Sequence, residues 1–143
     1  MKHSIPIKIL SIDNDGCHLQ AHITINGKKA NVIIDTGASR TVFDKTRIKK
    51  FVKTKAEKIH DKLSTGLGTS TMESHELEIK TLGIGKLKIN NYKTVLLDLS
   101  HVNNSYSQIK IKPIDGVLGS DVLHKYKGVI DYGKKKLILI SKK

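Results

Sequence analysis

The chain contains no tryptophan, only two phenylalanines, a single cysteine, and just two arginines, Arg40 and Arg47, among its 26 basic residues. It also lacks any apolar run of bilayer-spanning length. Each shortage excludes something. One cysteine, Cys17, cannot form an intrachain disulfide and suits a reducing compartment. The opening MKHSIPIKIL alternates around Lys8 and holds no unbroken apolar stretch of signal-peptide length, so the expectation is a soluble, cytoplasmic protein with no membrane partner. The formal charge of +13 would suit nucleic acid or another polyanion. Against nucleic acid stand the scarcity of arginine for bidentate contacts and of large aromatics for base stacking. The lysines moreover spread along polar faces, which reads as a solvated surface.

What the sequence has in quantity is period-two alternation. Ile5, Ile7 and Ile9 alternate with Pro6, Lys8 and Leu10 before the turn signal NDG at 14–16. Leu19, Ala21, Ile23 and Ile25 alternate with His18, Gln20, His22 and Thr24 before NGKK at 26–29. Further pairs follow at Leu77/Ile79, Leu87/Ile89, Val95/Leu97, Ile109/Ile111 and from Leu137 to Ile140. Short strands at about ten-residue spacing, separated by turn signals, predict an all-β barrel or compact sandwich in one domain, residues 1–143. Two helical patches interrupt it: DKTRIKKFV, opened by the capping residue Asp44 with Ile48, Phe51 and Val52 on one face, and DVLHKY at 121–126. The polar stretch SHVNNSYSQ at 100–108 reads as a loop.

Three constellations fail on chemistry. His18 and His22 have helical metal-pair spacing, but on a strand four residues span about 13 Å, too far for one ion. No metal site is expected. Nothing local activates Cys17, and a small buried thiol is the simpler reading. TGLGTST at 65–71 lacks the Gly-Lys-Ser/Thr ending of a phosphate loop and precedes β residues, so its glycines read as a hairpin tip.

One motif remains. In VIIDTGAS, residues 32–39, an apolar strand runs into Asp35 and then a small-residue corner. An ionised carboxylate there is costly unless paired or hydrogen-bonded. The local alternatives are a satisfied turn aspartate and a catalytic acid. Asp-Thr-Gly-Ala-Ser resembles the active-site corner of the aspartic proteases. IDGVLGSDVL at 114–123 resembles the strand that passes behind that corner in the same superfamily, and the glycine-bearing hairpin lies between them, where a substrate-covering flap belongs. One Asp-Thr-Gly and one following Leu-Gly in a half-sized chain point to the retropepsin-like branch; the resemblance spans about residues 17–140.

The resemblance implies a closed retropepsin-like barrel with a flap hairpin and one or two short helices, acting without cofactor as a homodimer on peptide or protein substrates. Two carboxylates about 3 Å apart cannot both ionise and so share a proton. At an effective dielectric near 20 their repulsion is about 5 kcal/mol, or about 4 pK units. One member then activates water while the other protonates the scissile carbonyl. Because the chain supplies one such corner, Asp35 must meet Asp35 of a second copy. By the same match, Thr36 braces the pair and Gly37 permits close approach of substrate. Ala38 and Ser39 edge the cleft, Gly66, Leu67 and Gly68 cover it, and Val117, Leu118 and Gly119 pack behind. A silent version of this fold, serving as a peptide-binding or assembly module, is the alternative function.

The chain also departs from the retroviral pattern. Ser39 and Ser120 stand where those enzymes carry an ion-paired aspartate and arginine. Arg40 and Asp121, one residue further on in each motif, either form a replacement pair with charges reversed, or Asp121 caps the helix. Asp115 lies either at a substrate pocket or in a stabilised turn, and Asp131 reads as a turn residue. The retroviral intersubunit sheet of chain ends has no recognisable counterpart.

Overall fold

The structure is a computed structural model that describes residues 1–12, 16–53, 57–59 and 74–142. The strands are β1 (Lys2–Ile12), β2 (Gly16–Ile25), β3 (Lys28–Ile34), β4 (Val42–Asp44), β5 (Glu57–Ile59), β6 (Ser74–Ile84), β7 (Leu87–Leu97), β8 (Gly116–Leu118), β9 (Val129–Asp131) and β10 (Lys136–Ile140). A 3₁₀ turn, Arg47–Lys50, follows β4; helix α1 (Ser100–Gln108) follows β7, and α2 (Ser120–Lys125) follows β8.

Alternation along β1 and β2 buries Ile5, Ile7, Leu19, Ala21, Ile23 and Ile25 on the inner face. The two-residue turn between β2 and β3 puts both Asn26 and Gly27 at positive φ, 52° and 82°. That is the hairpin geometry for which Asn-Gly is the preferred pair. Strands β2, β3, β8, β4, β7 and β6 are hydrogen-bonded in that order, and β6 returns to β2 through Thr24↔Gly83 and Ile25↔Leu82. This closes a six-stranded barrel filled by Ile23, Phe43, Ile79, Leu82 and Leu118 among others. Within it β8 runs parallel to β3 and antiparallel to β4, while β4 is parallel to β7.

Outside the barrel, the first half of β1 pairs with β10, which pairs with β9. Met1 and Ser141 exchange backbone contacts, so the two ends of the described chain lie in one intrachain sheet.

Several local expectations hold and others do not. Asp44 caps the 3₁₀ turn, accepting from the amides of Thr46 and Arg47, and its other oxygen accepts from Leu99 at 2.8 Å. DVLHK of the expected DVLHKY is helical within α2, and Tyr126 is the residue that ends it. Asp131 is the last residue of β9, and its carboxylate serves the turn that follows by accepting from the amide of Lys134. The stretch 100–108 is not a loop but α1. Its polar residues other than Asn103 face water, whereas Tyr106 is buried against Ile33, Leu99 and Ile114 in a small second core. Asn103 locks it down by accepting from Ile114 N and donating to Ile114 O, as a strand neighbour would. Ile109 and Ile111 accordingly leave the end of that helix and form no strand. Cys17, expected to be buried, is exposed near the start of β2.

Candidate active site

Strand β3 is paired on both sides, to β2 and to β8, through Val32↔Gly116, Ile33↔Val117 and Ile34↔Leu118. The ladder continues one step further, because the Asp35 amide donates to Leu118 O at 3.0 Å. The chain then turns sharply. Ala38 N donates to Asp35 O at 3.2 Å, and Gly37 N donates to the Asp35 carboxylate at 2.9 Å. The apolar strand is therefore buried while Asp35, Thr36 and Gly37, just past its end, are exposed on the chain.

Behind the corner, backbone packs directly on backbone. Ser120 N donates to Ala38 O at 2.7 Å, and a Cβ on Gly119 would lie 2.6 Å from Arg40 O and 2.8 Å from Ala38 O. Only glycine allows this approach. Thr41 is fully buried and joins three segments. Its hydroxyl accepts from Gly119 N at 2.9 Å and donates to Asp121 Oδ1 at 2.8 Å, and its amide donates to that same oxygen at 2.9 Å. Thr94 Oγ1 in turn donates to Thr41 O at 3.0 Å. Tyr92 OH donates to the other oxygen of Asp121. Burial, and then this bond, push the Tyr92 phenol far above its ordinary range.

Both readings of Asp121 are thereby corrected. Its oxygens are occupied by Thr41 and Tyr92, so it makes no pair with Arg40, whose guanidinium instead donates to Lys93 O at 3.3 Å. Nor does it cap α2, whose N-terminus at Gly119 has no side-chain cap. Asp115 is a buried structural anchor. It accepts from Arg47 Nε at 2.8 Å and from Asn31 N at 2.8 Å, with Lys50 Nζ at 3.5 Å.

Beside Asp35 opens a cavity of about 370 Å³, walled by Asp35 and Thr36, by His18 of β2, by Val102 and Tyr106 of α1, and by Tyr132 beyond β9. No other acidic side chain among the described residues lines it. His18 Nδ1 and Tyr106 OH are hydrogen-bonded at 2.6 Å. Burial, and then the negative charge of Asp35, raise the Tyr106 phenol. Sequence reasoning missed this pair, because the helix carrying Tyr106 reads as a loop and His18 as an ordinary strand residue. The signal available was the register: His18 precedes Leu19, which pairs with Ile34, so it faces the corner.

Among the expected site residues, Asp35, Thr36, Gly37, Ala38 and Ser39 form one corner, and Val117, Leu118 and Gly119 lie behind it. Gly66, Leu67 and Gly68, and the TGLGTST stretch around them, lie outside the described residues. His18 and His22 share no metal cluster with other residues among those described.

A closed six-stranded barrel carrying an Asp-Thr-Gly corner, with a Leu-Gly strand threaded behind it, is a retropepsin-like architecture. The family profile described as aspartyl protease matches residues 21–122, and the chain belongs to that family. A search of curated proteins found no match. Among solved structures, the chain resembles a retropepsin-like aspartic protease from Rickettsia conorii at 21% identity and TM-score 0.61, covering 97% of this chain and 91% of that one. It also resembles the retroviral protease-like domain of Ddi1 from Leishmania major at 15% identity and TM-score 0.57, covering 85% and 87%. EIAV protease, solved with the inhibitor HBY-793, matches at 16% identity and TM-score 0.53, covering 81% and 93%. At these identities the likeness is one of fold. No helix among the described residues is long and apolar enough to cross a membrane.

Proposed function

We propose that the chain is a single-domain, cytoplasmic aspartic endopeptidase that works as a homodimer, with water activated between two Asp35 carboxylates contributed by two copies. The observation that carries this reading is the solitary, exposed carboxylate. Asp35 is fastened by its backbone to β8, yet the cavity beside it holds no second acid among the described residues. A carboxylate alone is a poor partner for both proton transfers that peptide hydrolysis needs. A two-fold axis through the corner supplies the second one and buries both. In this reading the contact between copies is made by the corners and their surroundings, while β1 pairs with β10 within one copy.

In the dyad, one carboxylate takes the proton of water and the other donates to the peptide oxygen. Gly37 N, already bonded to Asp35, orients the carboxylate. Thr36 braces the pair across the axis, while Ala38, Ser39 and the Gly66-Leu67-Gly68 segment contact substrate. The cavity bounded by Val102 and Tyr106 receives an apolar substrate side chain.

The test is cleavage of a mixed peptide library from about pH 3 to 8, with and without a statine-type transition-state mimic. A carboxylate pair sharing one proton gives a bell, with limbs on either side of the free carboxylate value of about 3.9. Turnover that ignores the mimic and yields to iodoacetamide would transfer the chemistry to Cys17 and overturn the reading.

A further inference from the structure

The lysines that look scattered along the sequence are not all scattered in the fold. The turn joining β6 and β7, the end of α2, the start of β1 and the end of β10 border an open hollow of about 680 Å³. Lys86, Lys88, Lys125, Lys127 and Lys142 line it, with His3. Half of its lining residues are lysine, against about one in six over the chain. No acidic residue lines it, and none of the five lysines forms an ion pair among the described residues. It shares no lining residue with the cavity beside Asp35.

We propose that this hollow binds a compact polyphosphate group carried by a small ligand. Five like charges around one concavity raise the local potential, which a multiply charged anion relieves. Lysine supplies compact point charges with rotatable donors, suited to phosphate oxygens without the planar fork that arginine brings. Four segments of the fold border the hollow, which is an open concavity. An extended acidic peptide would set same-face carboxylates about 7 Å apart, whereas linked phosphates concentrate their charge within the hollow. The neighbouring C-terminus of α2 opposes an anion little, because three of its last four carbonyls are already used. Val122 O accepts from Tyr126, His124 O from Lys127, and Leu123 O from Gly128 at 2.7 Å. Lys127 holds φ +50°, the left-handed position at which α2 ends. Buried His3 is fixed by Ser141 Oγ at 2.7 Å and gives the hollow a preformed wall.

The proposal does not depend on the peptidase reading, and its test reads no activity. Inorganic tripolyphosphate, ATP and a single-stranded oligothymidylate are titrated into the full chain by calorimetry at 0.15 M salt, and tripolyphosphate binding is mapped by amide chemical shifts. The expected result is saturable tripolyphosphate binding, with shifts centred on Lys86, Lys88 and residues 125–127. ATP binding as tightly makes a nucleotide the source of the phosphates, and tripolyphosphate alone makes the free ion the source. Lys86→Gln/Lys88→Gln/Lys125→Gln should weaken binding at least tenfold, while Lys45→Gln/Lys49→Gln, on another face, should leave it within twofold. Equal losses in both variants, shifts spread over the whole surface, binding by the oligonucleotide alone, or no binding would each overturn the proposal. The map on the unmodified chain decides the matter even if the triple variant fails to fold.

Discussion

The main-chain amide of Asp35 and the carbonyl oxygen of Leu118 are hydrogen-bonded at 3.0 Å, making the acidic corner the last rung of the parallel β3–β8 ladder. The carboxylate is thus placed by the barrel itself, not by a free loop. Every element that fixes β8 against the corner consequently fixes Asp35.

Gly119 is the fixing that touches the corner's own backbone. Gly119→Ala forces a methyl group against Arg40 O and Ala38 O, main-chain atoms that cannot swing aside. We expect a loss of about 2–3 kcal/mol in unfolding free energy, read as a lower urea midpoint, and a loss of peptidase activity larger than the unfolded fraction explains. An unchanged midpoint would show that the corner and β8 separate easily.

The Thr41–Asp121 contact carries the next prediction. Thr41→Val keeps the shape but deprives Gly119 N of its acceptor and Asp121 of a donor in a buried place. The expected cost is about 2–3 kcal/mol. Arg40→Ala, which breaks only a long contact to Lys93 O, should cost about 0.5 kcal/mol or less. If the two costs come out in the opposite order by denaturant titration, Arg40 and not Thr41 is the partner of Asp121.

Tyr92 and Tyr106 carry the prediction for alkaline pH. Burial raises both phenols, with Asp121 and Asp35 respectively adding to it. Groups raised in the fold contribute stability that is complete below their unfolded pKa of about 10 and is lost as pH climbs beyond it. The two phenols should therefore leave unfolding free energy unaffected up to about pH 9 and lower it above that, and Tyr92→Phe should flatten most of the fall. A slope unaffected by Tyr92→Phe would assign the alkaline loss elsewhere.

Much of this was legible in the residues. Asn26-Gly27 marks its hairpin because few other pairs accept two positive φ values, and the isoleucines of β1 and β2 show their inner face by strict alternation. The corner could be read because Asp-Thr-Gly-Ala-Ser and Val-Leu-Gly are short, local and chemically peculiar. What could not be read is what depends on distant partners. Helix α1 is poor in strong helix formers and is held by Asn103 bonding to Ile114 and by burial of Tyr106, neither visible locally. The partners of Asp121, Thr41 and Tyr92, lie 80 and 29 positions away in sequence, so a charge-reversed pairing with Arg40 looked natural and was wrong. Asp115 proved structural for the same reason, since Arg47 reaches it across 68 positions.

The central claim is that two copies each give one Asp35 to a single site, and mixing unmodified chain with Asp35→Asn tests it most directly. Asparagine nearly preserves shape but cannot act as the base, so the variant alone should fold normally and show no turnover. After exchange at a concentration where sedimentation shows dimers, random pairing leaves about half of the unmodified chains in active pairs at equal amounts, and about one-tenth at ninefold excess of the variant. Activity per unmodified chain should fall along that curve. Activity per unmodified chain that stays constant at every ratio, or an Asp35→Asn protein that turns over peptide as well as its parent, would contradict the shared dyad.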